Sequence, residues 1–388
     1  MFFSYCPTKR IYGEQAVSGL CRDIPKTARI GLVASATAWK CNELKIELQH
    51  IQEQICYQKI FHNLGEPGFQ DAVQLAICIQ EVKVDLILCI GGGSIIDLCK
   101  AAAVMGMFQG DSLLKWQQLQ SSSFDASAIE LMVISTVPGT SSESNNAFVI
   151  TNPEGYKTAF SKMRTFPKVM AFDPRWSKGL TERQLQLGLF DSLVHIAEQF
   201  IRPQSSDLTN DGLCIALMAT LLDLHDRLVS GFFDDHDLTR FSRASSIIID
   251  SATLGRGTSL DFVTHELAVF ISAHIPLPHA ATLACVFPYY LEYPGHEDYH
   301  HRFQKLMNQA TLQVNSFREQ HVLPTFNLRE HIMRSELVPK NLKISRSTEF
   351  KDRIDLFIRD RSAFWSQKLV HVDVIRAILN QVLEHLSA

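Results

Sequence analysis

The sequence has no CxxC pair, although nine cysteines are spread along its 388 residues. An odd number without that spacing is typical neither of a disulfide framework nor of a thiolate metal site. Cys89 and Cys285 lie in apolar runs, where a reduced cysteine behaves as a small core residue. We therefore expect free thiols and a fold stabilised by its own core, which a chain of this length can build.

An excess of basic charge is also missing, as is any long apolar run. Lysine and arginine number 37 against 41 aspartates and glutamates, so no basic surface for nucleic acid is expected. No stretch approaches the roughly 20 apolar residues of a membrane-spanning helix. The first residues, MFFSYCPTKR, lack the apolar stretch of a signal peptide. The sequence thus predicts a cytoplasmic protein with neither nucleic acid nor a membrane as partner.

Strand-like and helix-like segments alternate in the first half of the chain. Apolar runs at 29–34, 84–90 and 131–135 are typical of strands in a buried sheet. Residues 94–107 have the pattern of a helix. This β-α-β alternation predicts a mostly parallel sheet covered by helices.

The pattern changes near residue 178, after a turn signal at Asp173 and Pro174. Beyond this point helical periodicity dominates, at 185–201, 211–229, 238–254 and 372–386. The sequence therefore predicts two domains, an α/β domain over residues 1–178 and an all-α domain over residues 179–388.

A glycine-rich turn, GGGS at 91–94, joins the second apolar run directly to the predicted helix. Glycines leave the backbone open to a ligand, and the amide groups at a helix start bind anions. The carboxyl end of a parallel strand is also where cofactors usually bind. A phosphate loop and a plain tight turn with Ser94 as N-cap both fit. Asp97 and Lys100, taken alone, would be solvated surface charges.

A carboxylate and an imidazole stand four residues apart in the helical half, at Asp191 and His195. On a helix these positions share one face, so both side chains could bind one ion. This pair suits Zn²⁺ or Fe²⁺. Glu198 lies near the same face and could support a ligand from behind.

Three further histidines follow at His265, His274 and His279. Two prolines between the last two break the helix, so a chain reversal could bring His265 and His279 together. Each histidine could equally be a satisfied core residue. A zinc-protease helix is excluded because HExxH would need a histidine where Val269 stands.

Four motifs together resemble the iron-containing (group III) alcohol dehydrogenases, and within them the NADPH-dependent butanol dehydrogenases and aldehyde reductases. The resemblance runs from about residue 3 to residue 290. The 14-residue step from His265 to His279 also equals the family's step between its last two metal ligands. The motifs are GGGSIIDLCK at 91–100, STVPGTSSESNNAFVI at 135–150, FDSLVHIAEQFI at 190–201, and DFVTH at 261–265 with His279 beyond it.

The resemblance implies a dinucleotide-binding α/β domain and a metal-binding helical domain. It implies that one divalent metal, Fe²⁺ or Zn²⁺, is held by Asp191, His195, His265 and His279. It also implies a set of residues along the bound cofactor, namely Gly92, Gly93, Ser94, Asp97, Thr136, Thr140, Asn145 and Lys157.

The sequence departs from the family pattern beside the metal ligands. Many members have a second histidine four residues after His265, near the nicotinamide, where this chain has Val269. Valine cannot relay a proton. His274 could take that catalytic role, or it could lie on the surface or behind a ligand.

Cofactor preference depends on the residue that ends the first strand of the sheet. NAD-specific members place an aspartate there, which repels the 2′-phosphate, whereas the aligned residue here is Ser35. The resemblance therefore implies NADPH, with NADH possible. It further implies reversible hydride transfer between the nicotinamide and an alcohol or aldehyde, in a homodimer.

Two alternatives remain open at this point. Sugar-phosphate cyclases resembling dehydroquinate synthase share the fold, NAD and a metal, but need several basic residues around the substrate. A homologue that has lost catalysis and serves as a binding protein is the other, and Val269 is the residue that suggests it.

Overall fold

The computed structural model describes residues 6–62, 64–202, 208–248, 261–275, 277–318, 322–338, 348–361, 365 and 370–387. The chain forms two compact units. The first, called the sheet unit here, comprises Tyr5–Leu180 and Phe233–Ala252. The second, called the helical unit, contains Thr181–Phe232 and Thr253–Ala388.

A six-stranded, fully parallel sheet forms the centre of the sheet unit, in the order β1-β8-β5-β4-β2-β3. A separate antiparallel pair, β6 and β7, accompanies it. The strands are β1 Lys9–Tyr12, β2 Ile30–Ser35, β3 Ile55–Phe61, β4 Leu86–Gly91, β5 Glu130–Ser135, β6 Ala147–Thr151, β7 Lys157–Ser161 and β8 Val169–Phe172.

Helices bury both faces of this sheet. Along β4, Ile87 and Cys89 point into one apolar cluster, whereas Leu86, Leu88 and Ile90 point into the other. This alternation follows from the two-residue period of a strand. The helices of the unit are α1 Ala16–Arg22, α2 Ala36–Trp39, α3 Asn42–Glu47, α4 Phe69–Glu81, α5 Gly93–Met105, α6 Ser112–Ser121 and α9 Asp235–Ile248.

Among its described residues the helical unit has helices and connecting segments but no strand. Its first helix begins with a capping box in which Thr181 and Gln184 bond each other's backbone amides. The helices are α7 Glu182–Phe200, α8 Leu208–Val229, α10 Val263–His274, α11 His279–Glu292, α12 Glu297–Phe317, α13 Leu328–Arg334, α14 Thr348–Asp360 and α15 Val372–Ser387. Within the described ranges no helix has the length and apolar content needed to cross a membrane.

The predicted fold class is confirmed: a parallel sheet with helices precedes a helical region. The predicted strands agree with β2, β4 and β5 to within two residues. One helix predicted for the second domain, α9, groups instead with the sheet unit. The predicted division into residues 1–178 and 179–388 has a single boundary. It therefore does not include the return of the chain to the sheet unit at α9.

Candidate active site

Two helices of the helical unit bring together Asp191 and His195 from α7 and His265 from α10. One potential ligand atom from each lies within 4.8 Å of the others. Oδ1 of Asp191 is 3.9 Å from His195 Nδ1 and 3.5 Å from His265 Nε2. The two imidazoles stack, with ring centroids 4.1 Å apart. The i, i+4 spacing on α7 thus does place both side chains on one face, toward α10.

The donor atoms of this cluster are buried and unsatisfied. Among the described residues, Asp191 Oδ1, His195 Nδ1 and His265 Nε2 have no hydrogen-bond partner. Buried polar atoms without partners are rare and costly. One carboxylate oxygen and two imidazole nitrogens converging on one point fit a divalent transition metal.

His279 lies at the edge of this cluster, as the first residue of α11. Its ring centroid is 5.5 Å from that of His265, in a tilted arrangement. The structure therefore brings all four predicted ligands into one region, with three in direct convergence and His279 beside them.

Mutual electrostatics keep two of these groups in the forms that bind metal. Burial raises the pKa of Asp191, but the adjacent imidazoles outweigh burial and lower it to about 2. Burial and the neighbouring His265 lower the pKa of His195 to about 3. Asp191 is therefore ionised and His195 neutral at pH 7, as coordination requires.

Glu198 fixes the orientation of His265. One carboxylate oxygen accepts the backbone N–H of His265 at 3.1 Å, and the other contacts its Nδ1 at hydrogen-bond distance. Burial lowers the pKa of His265, but Glu198 and Asp191 reverse that effect and raise it to about 10. With Nδ1 held by Glu198, Nε2 is the nitrogen that faces Asp191, and a cation there would replace the proton.

His274 does not join this cluster. It is the last residue of α10, and its Nδ1 contacts the carbonyl oxygen of Phe270 at 2.7 Å. Nine residues separate it from His265, which on a helix amounts to about 13 Å along the axis and half a rotation. This placement argues against the predicted proton relay. Val269, one turn from His265, is the residue on the ligand-bearing face.

The glycine turn opens α5 and needs glycine for contact with a neighbouring loop. Gly92 is the N-cap and Gly93 the first residue, so Ser94 lies inside the helix and is not its cap. A Cβ on Gly92 would lie 2.9 Å from Val137, and one on Gly93 would lie 2.9 Å from Thr140. The segment 136–149, called the cofactor loop here, therefore packs directly against the turn.

Lys100 and Asp97 hold the cofactor loop and are not solvated charges. The buried Lys100 ammonium donates to the Ser142 carbonyl at 2.6 Å, to Asn145 Oδ1 at 3.1 Å and to the Ala147 carbonyl at 2.8 Å. Burial lowers the pKa of Lys100 to about 8 and raises that of Asp97 to about 6. Asp97 accepts hydrogen bonds from the Ser142 hydroxyl and the Val149 amide.

The other predicted cofactor residues lie around the ends of the parallel strands. Thr136 follows β5 and donates its amide to the Gly91 carbonyl at 3.1 Å. Lys157 begins β7 and forms an ion pair with Glu66 at 3.0 Å. Ser35 ends β2, where its hydroxyl caps α2 by accepting the Ala38 amide.

The chain reverses its direction across the sheet between β2 and β4, because β3 lies on one side of β2 and β4 on the other. Ligands of open α/β sheets bind at the carboxyl ends of strands at such a point. Ser35 and the glycine turn lie at the carboxyl ends of these two strands. The topology thus supports a cofactor site where the motif predicted one.

Comparison with protein families decides the identity. A profile described as iron-containing alcohol dehydrogenase matches residues 7–174. A second, described as the C-terminal region of the Fe-containing alcohol dehydrogenase family, matches residues 187–379.

The chain belongs to the iron-containing alcohol dehydrogenase family.

Relatives of this alcohol dehydrogenase chain include the enzymes that the motifs indicated. It is 27% identical over 299 residues to a probable NADH-dependent butanol dehydrogenase 2 of Bacillus subtilis, covering 75% of each chain. It is 26% identical over 292 residues to the NADPH-dependent aldehyde reductase YqhD of Escherichia coli, covering 74% of each. The predicted family and the oxidoreductase class are therefore confirmed.

Solved structures share the fold of this alcohol dehydrogenase chain over nearly its full length. The Escherichia coli YqhD structure superposes with a TM-score of 0.78 and 23% identity, covering 98% of both chains. An NADH-dependent butanol dehydrogenase A of Thermotoga maritima gives 0.76 and 19%, covering 100% of this chain and 98% of its own. These likenesses support the architecture.

Sequence reasoning missed two groups around the site. One is the contact of Arg202 and Tyr290 with Asp261, which lies just before α10. The other is Glu143 in the cofactor loop, a fully buried carboxylate whose pKa burial raises to about 7. The only signal for Asp261 was its place at the head of DFVTH, and Glu143 was visible only as part of a motif.

Proposed function

We propose that this protein is a metal-dependent, NAD(P)H-linked alcohol dehydrogenase and aldehyde reductase. It would catalyse reversible hydride transfer between the nicotinamide and a carbonyl carbon. The proposal is carried by one observation. Potential metal-ligand atoms of Asp191, His195 and His265 are buried, lack hydrogen-bond partners and converge on one point. A site of this kind is satisfied by a divalent cation, and family membership supplies the chemistry.

Each side chain of the metal site has a distinct task in this proposal. Asp191, His195, His265 and His279 would hold the cation, either Fe²⁺ or Zn²⁺. A cation held there would supply Lewis-acid polarisation of a substrate carbonyl, and a bound nicotinamide would supply or accept the hydride. Glu198 keeps the proton of His265 on Nδ1, so that Nε2 stays available as a ligand. Val269 offers no proton, so bound water or the ribose hydroxyls would deliver it.

The sheet unit would bind the cofactor. Gly92 and Gly93 leave the backbone amides at the start of α5 open to the pyrophosphate. Ser94, Thr136 and Thr140 would line the cofactor beside this turn. Asp97 would also hold the cofactor loop directly, through its hydrogen bonds from Ser142 and Val149. Asn145 would do so through Lys100, and Lys157 would contact the cofactor from where it pairs with Glu66.

NADPH is the proposed preferred cofactor, with NADH as the second choice. The residue at the end of β2 is Ser35, which carries no charge to repel a 2′-phosphate. Relatives include both an NADPH-dependent reductase and NADH-dependent dehydrogenases, so family membership alone does not decide. A cytoplasmic location and a homodimer remain expectations from the sequence and the resemblance.

The alternatives are less well supported. The relatives cited above are dehydrogenases and reductases. A homologue that has lost catalysis would not be expected to keep a set of buried polar atoms without hydrogen-bond partners, since each such atom costs about 1–3 kcal/mol.

The proposal is tested by purifying the protein with its metal and following NADPH and NADH oxidation with short aldehydes. We expect aldehyde-dependent oxidation of NADPH, and the reverse reaction with the corresponding alcohols. If the metal-loaded protein oxidises neither cofactor with any of a broad set of aldehydes, the proposal is contradicted. That result would favour a homologue that has lost catalysis and serves as a binding protein.

A further inference from the structure

Asp261 stands at the centre of a buried polar cluster in the helical unit. Its side chain is fully buried. One carboxylate oxygen, Oδ2, accepts the Tyr290 hydroxyl at 2.9 Å and pairs with Arg202 Nε at 3.2 Å. The other, Oδ1, accepts the Val263 amide at 3.1 Å. A carboxylate this deep in the core is retained only where such partners compensate its desolvation.

Asp261 and its two side-chain partners lie in or next to the three helices that bear the proposed metal ligands. Arg202 follows α7, which carries Asp191 and His195. Asp261 itself precedes α10, which carries His265. Tyr290 belongs to α11, which begins with His279. One carboxylate therefore joins the three elements whose spacing sets the distances between the ligands.

The start of α10 is the part of the site that most needs such a support. Phe262, its N-cap, has a φ of +52°, a left-handed conformation that an aromatic residue rarely adopts. Backbone strain of this kind persists only when its surroundings hold it. Asp261 fixes the backbone on both sides of Phe262. Its own amide donates to the Glu198 carbonyl at 3.3 Å, and its carboxylate accepts the Val263 amide.

His265 lies two residues beyond the first residue of α10, in the first turn. Any shift of the helix start would move its imidazole relative to Asp191, now 3.5 Å away. It would also disturb the hydrogen bond that the His265 amide donates to the Glu198 carboxylate. We infer that Asp261, ion-paired with Arg202 and hydrogen-bonded to Tyr290, is a positioning residue that sets the affinity of the metal site. The inference rests on the proposed function, because it presumes a cation at these ligands.

The inference is tested by the Asp261→Asn variant, which keeps the shape of the side chain but removes the charge paired with Arg202. Metal-free wild type and variant are titrated with Zn²⁺ against a chromophoric chelator, and their Co²⁺ absorption spectra are compared. We expect Zn²⁺ to bind about 10- to 100-fold more weakly to the variant, as for other residues that support ligands, with an altered Co²⁺ spectrum. Tyr290→Phe should shift both readouts in the same direction by a smaller amount.

A matched control separates positioning from general stability. Arg318, which follows α12, forms ion pairs with Asp223 and Asp226 of α8. These side chains are also partly buried in the helical unit. Arg318→Met should lower the unfolding midpoint yet leave Zn²⁺ affinity at the wild-type value. Should Asp261→Asn not fold, Tyr290→Phe carries the test alone.

The outcomes are distinguishable. Wild type that binds Zn²⁺ tightly, with variants that match it in affinity and Co²⁺ spectrum, would overturn the positioning role and leave the proposed function intact. Wild type that binds no divalent cation would overturn the proposed function, and the inference with it.

Discussion

Ser35 is the residue on which the proposed choice between NADPH and NADH depends. It lies at the carboxyl end of β2, next to the glycine turn that follows β4, and it caps α2. Aspartate is as good an N-cap as serine, so Ser35→Asp should fold normally while adding one negative charge.

We expect Ser35→Asp to raise the KM for NADPH by about 10-fold, which corresponds to about 1.4 kcal/mol of lost binding energy. The KM for NADH should change little, because NADH lacks the 2′-phosphate. Ser35→Asn is the matched control, since it also caps the helix but adds no charge. An unchanged ratio of the two KM values in Ser35→Asp would place the 2′-phosphate elsewhere.

At the level of single residues, spacing predicted only the local part of the metal site. The four-residue step from Asp191 to His195 specifies one helical face whatever the rest of the fold does. The approach of His265 to that face was supplied by family resemblance, because periodicity carries no information about which helices meet. Taken alone, Asp97 and Lys100 had the pattern of solvated charges, and only the resemblance placed Asp97 at the cofactor. Their burial depends on a loop some 40 residues further along the chain.

At the scale of secondary-structure elements, α5 contacts the cofactor loop through Lys100. The importance of this contact for cofactor binding can be measured by replacing Lys100. Its ammonium bridges three positions of the loop, and removing it would leave the buried oxygen atoms there without this hydrogen-bond donor. A buried polar group left without its partner costs about 1–3 kcal/mol. We expect Lys100→Met to raise the KM for NADPH by at least about 10-fold, because one tenfold step needs only about 1.4 kcal/mol.

The metal content of Lys100→Met should equal that of wild type. Lys115→Met is the matched control, because Lys115 is equally buried in the sheet unit but bonds Gln80 and the Met105 carbonyl. It should lower stability and leave the KM for NADPH unchanged. If both variants change the KM for NADPH equally, Lys100 does not have the proposed role of holding the cofactor loop for cofactor binding.

The packing of α8 against α13 includes a histidine pair that should make stability depend on pH. The rings of His225 and His331 are 4.3 Å apart, and His331 also packs against Phe326. Burial lowers the pKa of His225 to about 4 although Asp226 opposes the shift, and burial with His225 lowers that of His331 to about 3. Both start from an ordinary value of 6.5.

Because the folded pKa values are lower, the unfolded chain takes up protons first as the pH falls. The pair's contribution to stability is therefore present above pH 6.5 and is lost progressively as the pH falls from there to about 4 for His225 and about 3 for His331. His331→Phe keeps an aromatic ring in place and should lose about 2 kcal/mol less than wild type between pH 7 and pH 5, because pH 5 lies about 1.5 units below the unfolded pKa at about 1.4 kcal/mol per unit. Urea unfolding at both pH values measures this, with the exposed His371→Phe as control. Identical losses in wild type and His331→Phe would disprove the role of the pair.

Regular elements were predictable where a local pattern determines them. The strands β2, β4 and β5 and the helix after the glycine turn follow from apolar runs and turn residues. The sheet order was not predictable, because β8 inserts between β1 and β5 through contacts distant in sequence.

At the scale of the whole molecule, the two units are not two consecutive halves. After the first 180 residues and α7 and α8, the chain returns to the sheet unit with α9. There, Ser246 bonds the Tyr12 hydroxyl at 2.6 Å, and its carbonyl accepts from Ser144 at 2.7 Å. Hydroxyl contacts of this kind leave no periodic signal in the sequence, which is why a single boundary was predicted.

Family membership covers both units, and the central claim concerns what the helical unit contributes to activity. That claim is that a divalent cation at Asp191, His195, His265 and His279 is required for hydride transfer. The most direct measurement is aldehyde-dependent NADPH oxidation by protein stripped with a chelator and then titrated with Fe²⁺ or Zn²⁺. We predict loss of activity on stripping and recovery that saturates at one cation per chain. Full activity in protein without detectable metal would contradict the claim.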